Sequence, residues 1–98
     1  MNGGRKSMNT DSRVRTLALA ILEALDRFGT LSGRVLHARV EETIPEIHPS
    51  EYAEALQRVR TLELVEEIDA GYAWLYSLTN TGVVVLEKHR SDNDLGLC

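Results

Sequence analysis

The stretch Pro49–Leu78 constrains the architecture most, because a helical pattern runs into two short strand patterns with no room for a linker. Tyr52, Ala55, Leu56, Val59 and Leu62 recur at steps of three and four, which places them on one face of a helix of period 3.6. Ser50, Glu51, Glu54, Gln57, Arg58 and Thr61 fall on the outward side. Pro49 is pre-set for a first helical turn, and the Ser50 hydroxyl can accept from orphan backbone N–H groups. Glu51 and Glu54 suit the positive end of the helix dipole. Leu64 to Ile68 then reads as a strand and Ala73 to Leu78 as its partner, with Trp74, Tyr76 and Leu78 on one face by the period-two rule. Asp69, Ala70 and Gly71 form the turn, where Gly71 takes positive φ without steric cost.

Three segments in this order, Ala55-Leu56-Gln57-Arg58-Val59, Leu64-Val65-Glu66 and Tyr76-Ser77-Leu78-Thr79-Asn80-Thr81-Gly82, resemble the pattern of PadR-like and MarR-like winged-helix regulators. The resemblance spans roughly residues 12 to 90. It implies a small α+β winged-helix domain with a three-helix core, a two-stranded β-wing and a C-terminal helix. It also assigns the segment 50–62 as a recognition helix. The chain departs from the pattern at two places. Glu63 stands where a Gly usually ends the recognition helix, so either a non-Gly residue is left-handed or the helix ends differently. The wing tip, Asp69-Ala70-Gly71-Tyr72, carries no basic residue.

Upstream, Asp11 or Ser12 can cap a first helix that reaches about Phe28. Val14, Leu17, Ala18, Ile21, Leu25 and Phe28 form its apolar stripe, and Leu19 and Leu22 widen it beyond what one neighbour needs. Such a helix is either central in the domain or shared with a second subunit. Ser32 can cap a second helix over about Gly33 to Thr43, with Leu36, Val40 and Ile44 inward and Arg34 and Arg39 outward. The two prolines of Ile44-Pro45-Glu46-Ile47-His48-Pro49 forbid its continuation. After the wing, Thr79 can cap a last helix to about Arg90. Val83, Val84 and Val85 each cost roughly 0.5 kcal/mol there relative to Ala, so a second contact surface should compensate. Val85 and Leu86, with Leu19 and Leu22, are therefore the expected homodimer interface; the alternative for this segment is a strand. Residues 1–11 read as a disordered basic arm, 12–90 as the domain and 91–98 as a disordered tail.

A chain of 98 residues, 43% of them hydrophobic, can bury one core. No apolar run approaches the length that spans a bilayer, and Met1 to Thr10 lacks an apolar signal region, so no membrane partner and a cytoplasmic address are the expectations. The sole cysteine, Cys98, allows no internal disulfide. His37, His48 and His89 lack metal-binding spacing, no Gly-rich phosphate loop occurs and no nucleophile motif is present. Neither an enzyme nor a cofactor or metal is expected.

The formal charge of −4 is unevenly placed, +4 over residues 1–40 and −8 over 41–98. Phosphate neutralisation drives nucleic-acid affinity. On the first reading, a transcriptional regulator binding double-stranded DNA as a homodimer, Arg5, Lys6, Arg13, Arg15 and Arg34 hold phosphates. The helix 50–62 enters the major groove, where Ser50, Gln57 and Arg58 donate to base edges or phosphates, and Tyr72 adds a weak wing contact. Gln57 suits adenine and Arg58 guanine, although Arg58 and Arg60 can equally pair with Glu54 and Glu63. On the second reading the same fold is a protein-interaction module, its acidic helix face, Glu66, Glu67 and the aromatics Tyr72, Trp74 and Tyr76 suiting a basic or apolar protein surface. Exposure of Trp74 separates a core aromatic from a partner site.

Overall fold

A computed structural model describes the backbone of residues 2–97 and the side chains of residues 12–91. Four helices and a three-stranded antiparallel sheet make a small α+β fold: α1 Asn2–Phe28, β1 Leu31–Ser32, α2 Gly33–Thr43, α3 Pro49–Thr61, β2 Val65–Asp69, β3 Trp74–Leu78 and α4 Asn80–Leu97. α1 starts ahead of the cap expected at Asp11 or Ser12, and α4 passes beyond Arg90. The side chains of the basic arm and of most of the tail lie outside the described residues.

The core forms where α1 packs on α3 and α2. Val14, Leu17, Ile21, Leu22 and Leu25 of α1 meet Leu36 and Val40 of α2, Ala55 and Val59 of α3, Val65 and Tyr76 of the sheet and Leu86 of α4. Burying an aliphatic side chain of this size contributes about 1.5–3 kcal/mol, which explains why α1 is apolar on more than one side: it is the central helix. Leu22 and Leu86, each 1% exposed, belong to this core and offer no surface to a second subunit. On α4 the outward valines are Val84 and Val85. Phe28, expected on the inward stripe of α1, is 44% exposed. Its ring lies under the guanidinium groups of Arg39 at 4.6 Å and Arg27 at 5.7 Å, a cation–π arrangement at the helix end.

The sheet order is β1-β3-β2. The two-residue β1 adds a third strand to the expected wing, pairing Leu31 with Tyr76 and Ser32 with Leu75. Ser32 also caps α2, its hydroxyl accepting from the Val35 N–H. The hairpin register runs from Val65 opposite Leu78 to Asp69 opposite Trp74. Its tip closes by a hydrogen bond from the Ala70 N–H to the Ala73 carbonyl, with Gly71 at φ 91°. The Asp69 carboxylate accepts from the Gly71 N–H at 2.9 Å.

The end of α3 decides how the hairpin departs. Glu63 has φ 61°, so a non-Gly residue does take the left-handed position. The Glu63 N–H donates to the Arg60 carbonyl and the Leu64 N–H to the Val59 carbonyl, the paired bonds of a Schellman cap. This reversal carries Leu64 into the core at 7% exposed and leaves Leu62 outside at 58%. Leu62 therefore does not belong to the inward face on which its spacing placed it.

Candidate nucleic-acid interface

The outward side of α3 carries Ser50, Glu54, Gln57 and Thr61, all exposed, with Arg58 half-buried. Gln57 and Arg58 are thus brought together on one surface. Gln57 also lines a groove of about 390 Å³ between α3 and β2, with Arg60, Thr61, Val65 and Glu67. Tyr72, 86% exposed, stands at the hairpin tip, Arg34 is exposed in the first turn of α2, and Arg15 is exposed on α1. Leu19, half-buried on α1, is not among the core residues. Arg5 and Lys6 lie outside the described residues.

Most cations near α3 already have anionic neighbours. Arg58 Nη2 lies 3.4 Å from Glu54 Oε2 across one helical turn. Arg60 pairs at 2.9 Å with Glu67, not with Glu63. The same Glu67 carboxylate accepts from the Tyr76 hydroxyl at 3.1 Å. Arg13 is held differently. Its Nε donates to both oxygens of Glu51, at 3.1 and 2.9 Å, and its Nη2 lies 2.8 Å from Oε2. The Glu51 side chain is 11% exposed, so this residue, expected outward, is a buried partner that ties α3 to α1. The hydrogen bond from Arg13 holds the Glu51 carboxyl below the usual carboxylate range, and the same bond raises Arg13. Sequence reasoning missed this pair because its members are 38 residues apart and no local spacing signals it.

Tyr52 lies behind the α3 surface. Its ring meets His37 edge-on at 4.6 Å. Its hydroxyl is buried without a hydrogen-bond partner among the described residues. Burial pushes it up to about 12, with Tyr76 adding to the shift. Burial also raises Tyr76, reinforced by its bond to Glu67.

Trp74 is 54% exposed. Although it shares a sheet face with the buried Tyr76, it lies in the last pair before the turn, opposite Asp69. Among the described residues, no group of three His, Cys, Asp or Glu side chains could hold a metal ion, and no helix is long and apolar enough to cross a membrane. No protein-family model matches the chain, and no curated protein or solved structure matches it.

Proposed function

We propose that the chain is a winged-helix domain acting as a homodimeric, DNA-binding transcriptional regulator, with α3 as the helix that enters the major groove. The observation that carries this reading is the outward presentation of Ser50, Gln57 and Arg58 on α3 beside a hairpin whose tip residue, Tyr72, is 86% exposed. The Glu54–Arg58 pair does not oppose it. Exposed pairs of this kind are worth about 0–1 kcal/mol, so the Glu54 contact by itself does little to keep Arg58 from a guanine edge or a phosphate. Arg13 cannot do so, because its departure would strand the buried Glu51 carboxylate; it positions α3 and leaves phosphate contact to Arg15, Arg34, Arg5 and Lys6. Val85, with Val84 beside it and Leu19 on α1, is the apolar surface offered to the second subunit.

Fluorescence anisotropy with a labelled random duplex, titrated from low to physiological salt, tests the proposal. Binding that weakens steeply with salt is expected. On a selected operator, Arg58→Ala should abolish sequence preference, whereas Arg34→Ala should lower affinity on every sequence. Equal losses on operator and random DNA from both variants would end the assignment.

A second reading is favoured by a specific observation. Leu62, Tyr72 and Trp74 are all more than half exposed, and the segment Leu64–Leu78 carries Glu66, Glu67 and Asp69 without a Lys or Arg. That surface suits a protein partner. Absence of DNA binding even at low salt would transfer the function to it.

A further inference from the structure

The outer edge of β2 is the feature that neither DNA contact nor the core uses. β2 is the outside strand of the sheet, and the bonds at the two ends of the hairpin fix which of its backbone groups face inward. The Thr79 N–H donates to the Leu64 carbonyl and the Ala70 N–H to the Ala73 carbonyl. In an antiparallel ladder hydrogen-bonded pairs alternate with open ones. With the observed register, Glu66–Ser77 and Ile68–Leu75 are therefore the bonded pairs, and Val65, Glu67 and Asp69 point their N–H and C=O groups away from β3. No turn, cap or loop hydrogen bond among the described residues reaches those outward groups.

We infer that this edge takes up an extended segment of a partner protein carrying basic residues three positions apart, which pairs with β2 as an added strand. The inference rests on the protein-partner reading and specifies its geometry. Charge complementarity selects the occupant. Of the three β2 acids, Glu67 is engaged by Arg60 and Tyr76, and Asp69 accepts from the Gly71 N–H through Oδ1 only, so Glu66 and the second oxygen of Asp69 face an incoming strand, on opposite faces of the sheet. A cation opposite Glu66 forms a cross-strand pair. One opposite Asp69 meets both its carboxylate and the exposed ring of Trp74, which shares that face. A groove lined by Val65 and Glu67 with Gln57, Arg60 and Thr61 of α3 opens beside this strand. A second copy of β2 is a poor occupant, since it would bring the same acids against one another. Strand addition onto an open edge with alternate side chains read in pockets is an established recognition mode in other folds.

The test is an amide-resolved NMR titration of the full chain with three short peptides: a strand-forming peptide with lysines three apart, the same peptide with proline at its centre, and its glutamate counterpart. Expected are shifts and slowed hydrogen exchange at Val65, Glu67 and Asp69 with the first peptide, about tenfold weaker binding of the proline peptide, and none of the acidic one. In the protein, Glu67→Pro removes an outward N–H without breaking the β2–β3 ladder and should weaken binding more than Glu67→Gln does. Equal binding of the lysine and proline peptides, with shifts confined to Tyr72 and Trp74, would overturn strand addition and leave the partner reading standing. Failure of both basic peptides at low salt would overturn both.

Discussion

Glu63 holds a backbone conformation that costs an L side chain about 1–2 kcal/mol. Glycine removes that strain but loses about 0.5–1 kcal/mol of chain entropy. Glu63→Gly should therefore stabilise the protein by about 0.5–1 kcal/mol, read as a higher urea midpoint with an unchanged slope. The resemblance marks this position as the place where a Gly usually ends the helix and leaves two outcomes open, a left-handed non-Gly residue or a different helix end; the first is the one observed. Tyr52 was only half legible. Its spacing put it inward, but nothing local revealed that its hydroxyl would find no partner there. Tyr52→Phe removes a buried unsatisfied group and should raise stability by about 1 kcal/mol. It should also change the alkaline limb. The native hydroxyl ionises at about 12, above the ordinary value of 10.0, so the folded chain keeps a proton that the unfolded chain releases. That contribution is complete below the unfolded value and disappears as pH rises between the two. Denaturant melts across this window should show a shallower alkaline loss in Tyr52→Phe than in wild type.

Among the elements, α2 follows from spacing, because Leu36 and Val40 recur with the helical period and are buried; α3 follows only in part, since Ala55 and Val59 are buried as expected but Leu62 is exposed and Glu51 buried. β1 does not, since two residues carry no alternation. The α1–α3 contact was invisible as chemistry: Arg13 and Glu51 each read as surface charges until the fold brought them together. This contact makes the fold sensitive to acid. The Glu51 carboxyl is held below its unfolded value, so its contribution is present above the ordinary carboxylate range and is lost as pH falls through the depressed native value. Glu51→Gln should lower stability at neutral pH and remove that part of the acid transition, measured by circular dichroism during an acid titration. Retention of the full wild-type acid slope in the variant would show that other carboxylates carry it.

At the scale of the whole molecule, charge is sorted along the chain, with the excess of cations in residues 1–40 and of acids in 41–98. Composition made that asymmetry plain; which acids neutralise which cations required the fold. Trp74 is the sole tryptophan and stands clear of the core. Its native emission should already lie near that of a solvated indole and be readily quenched by acrylamide, with little change on unfolding. A strongly blue-shifted native spectrum would contradict the exposed hairpin tip.

The base of that hairpin behaves as a welded joint. The Leu64 carbonyl accepts from the Thr79 N–H, the Glu63 carbonyl accepts from the Thr79 hydroxyl at 2.7 Å, and that hydroxyl in turn caps Gly82. A Cβ on Gly82 would come 2.2 Å from the Leu64 oxygen, so the first turn of α4 lies directly on the chain that joins α3 to β2. Length can therefore vary at the far end, between Ala70 and Ala73, without moving either helix, while one residue inserted between Thr61 and Leu64 would dismantle the joint. The start of α4 is thereby seated on the same two residues, Glu63 and Leu64, that turn the chain out of α3.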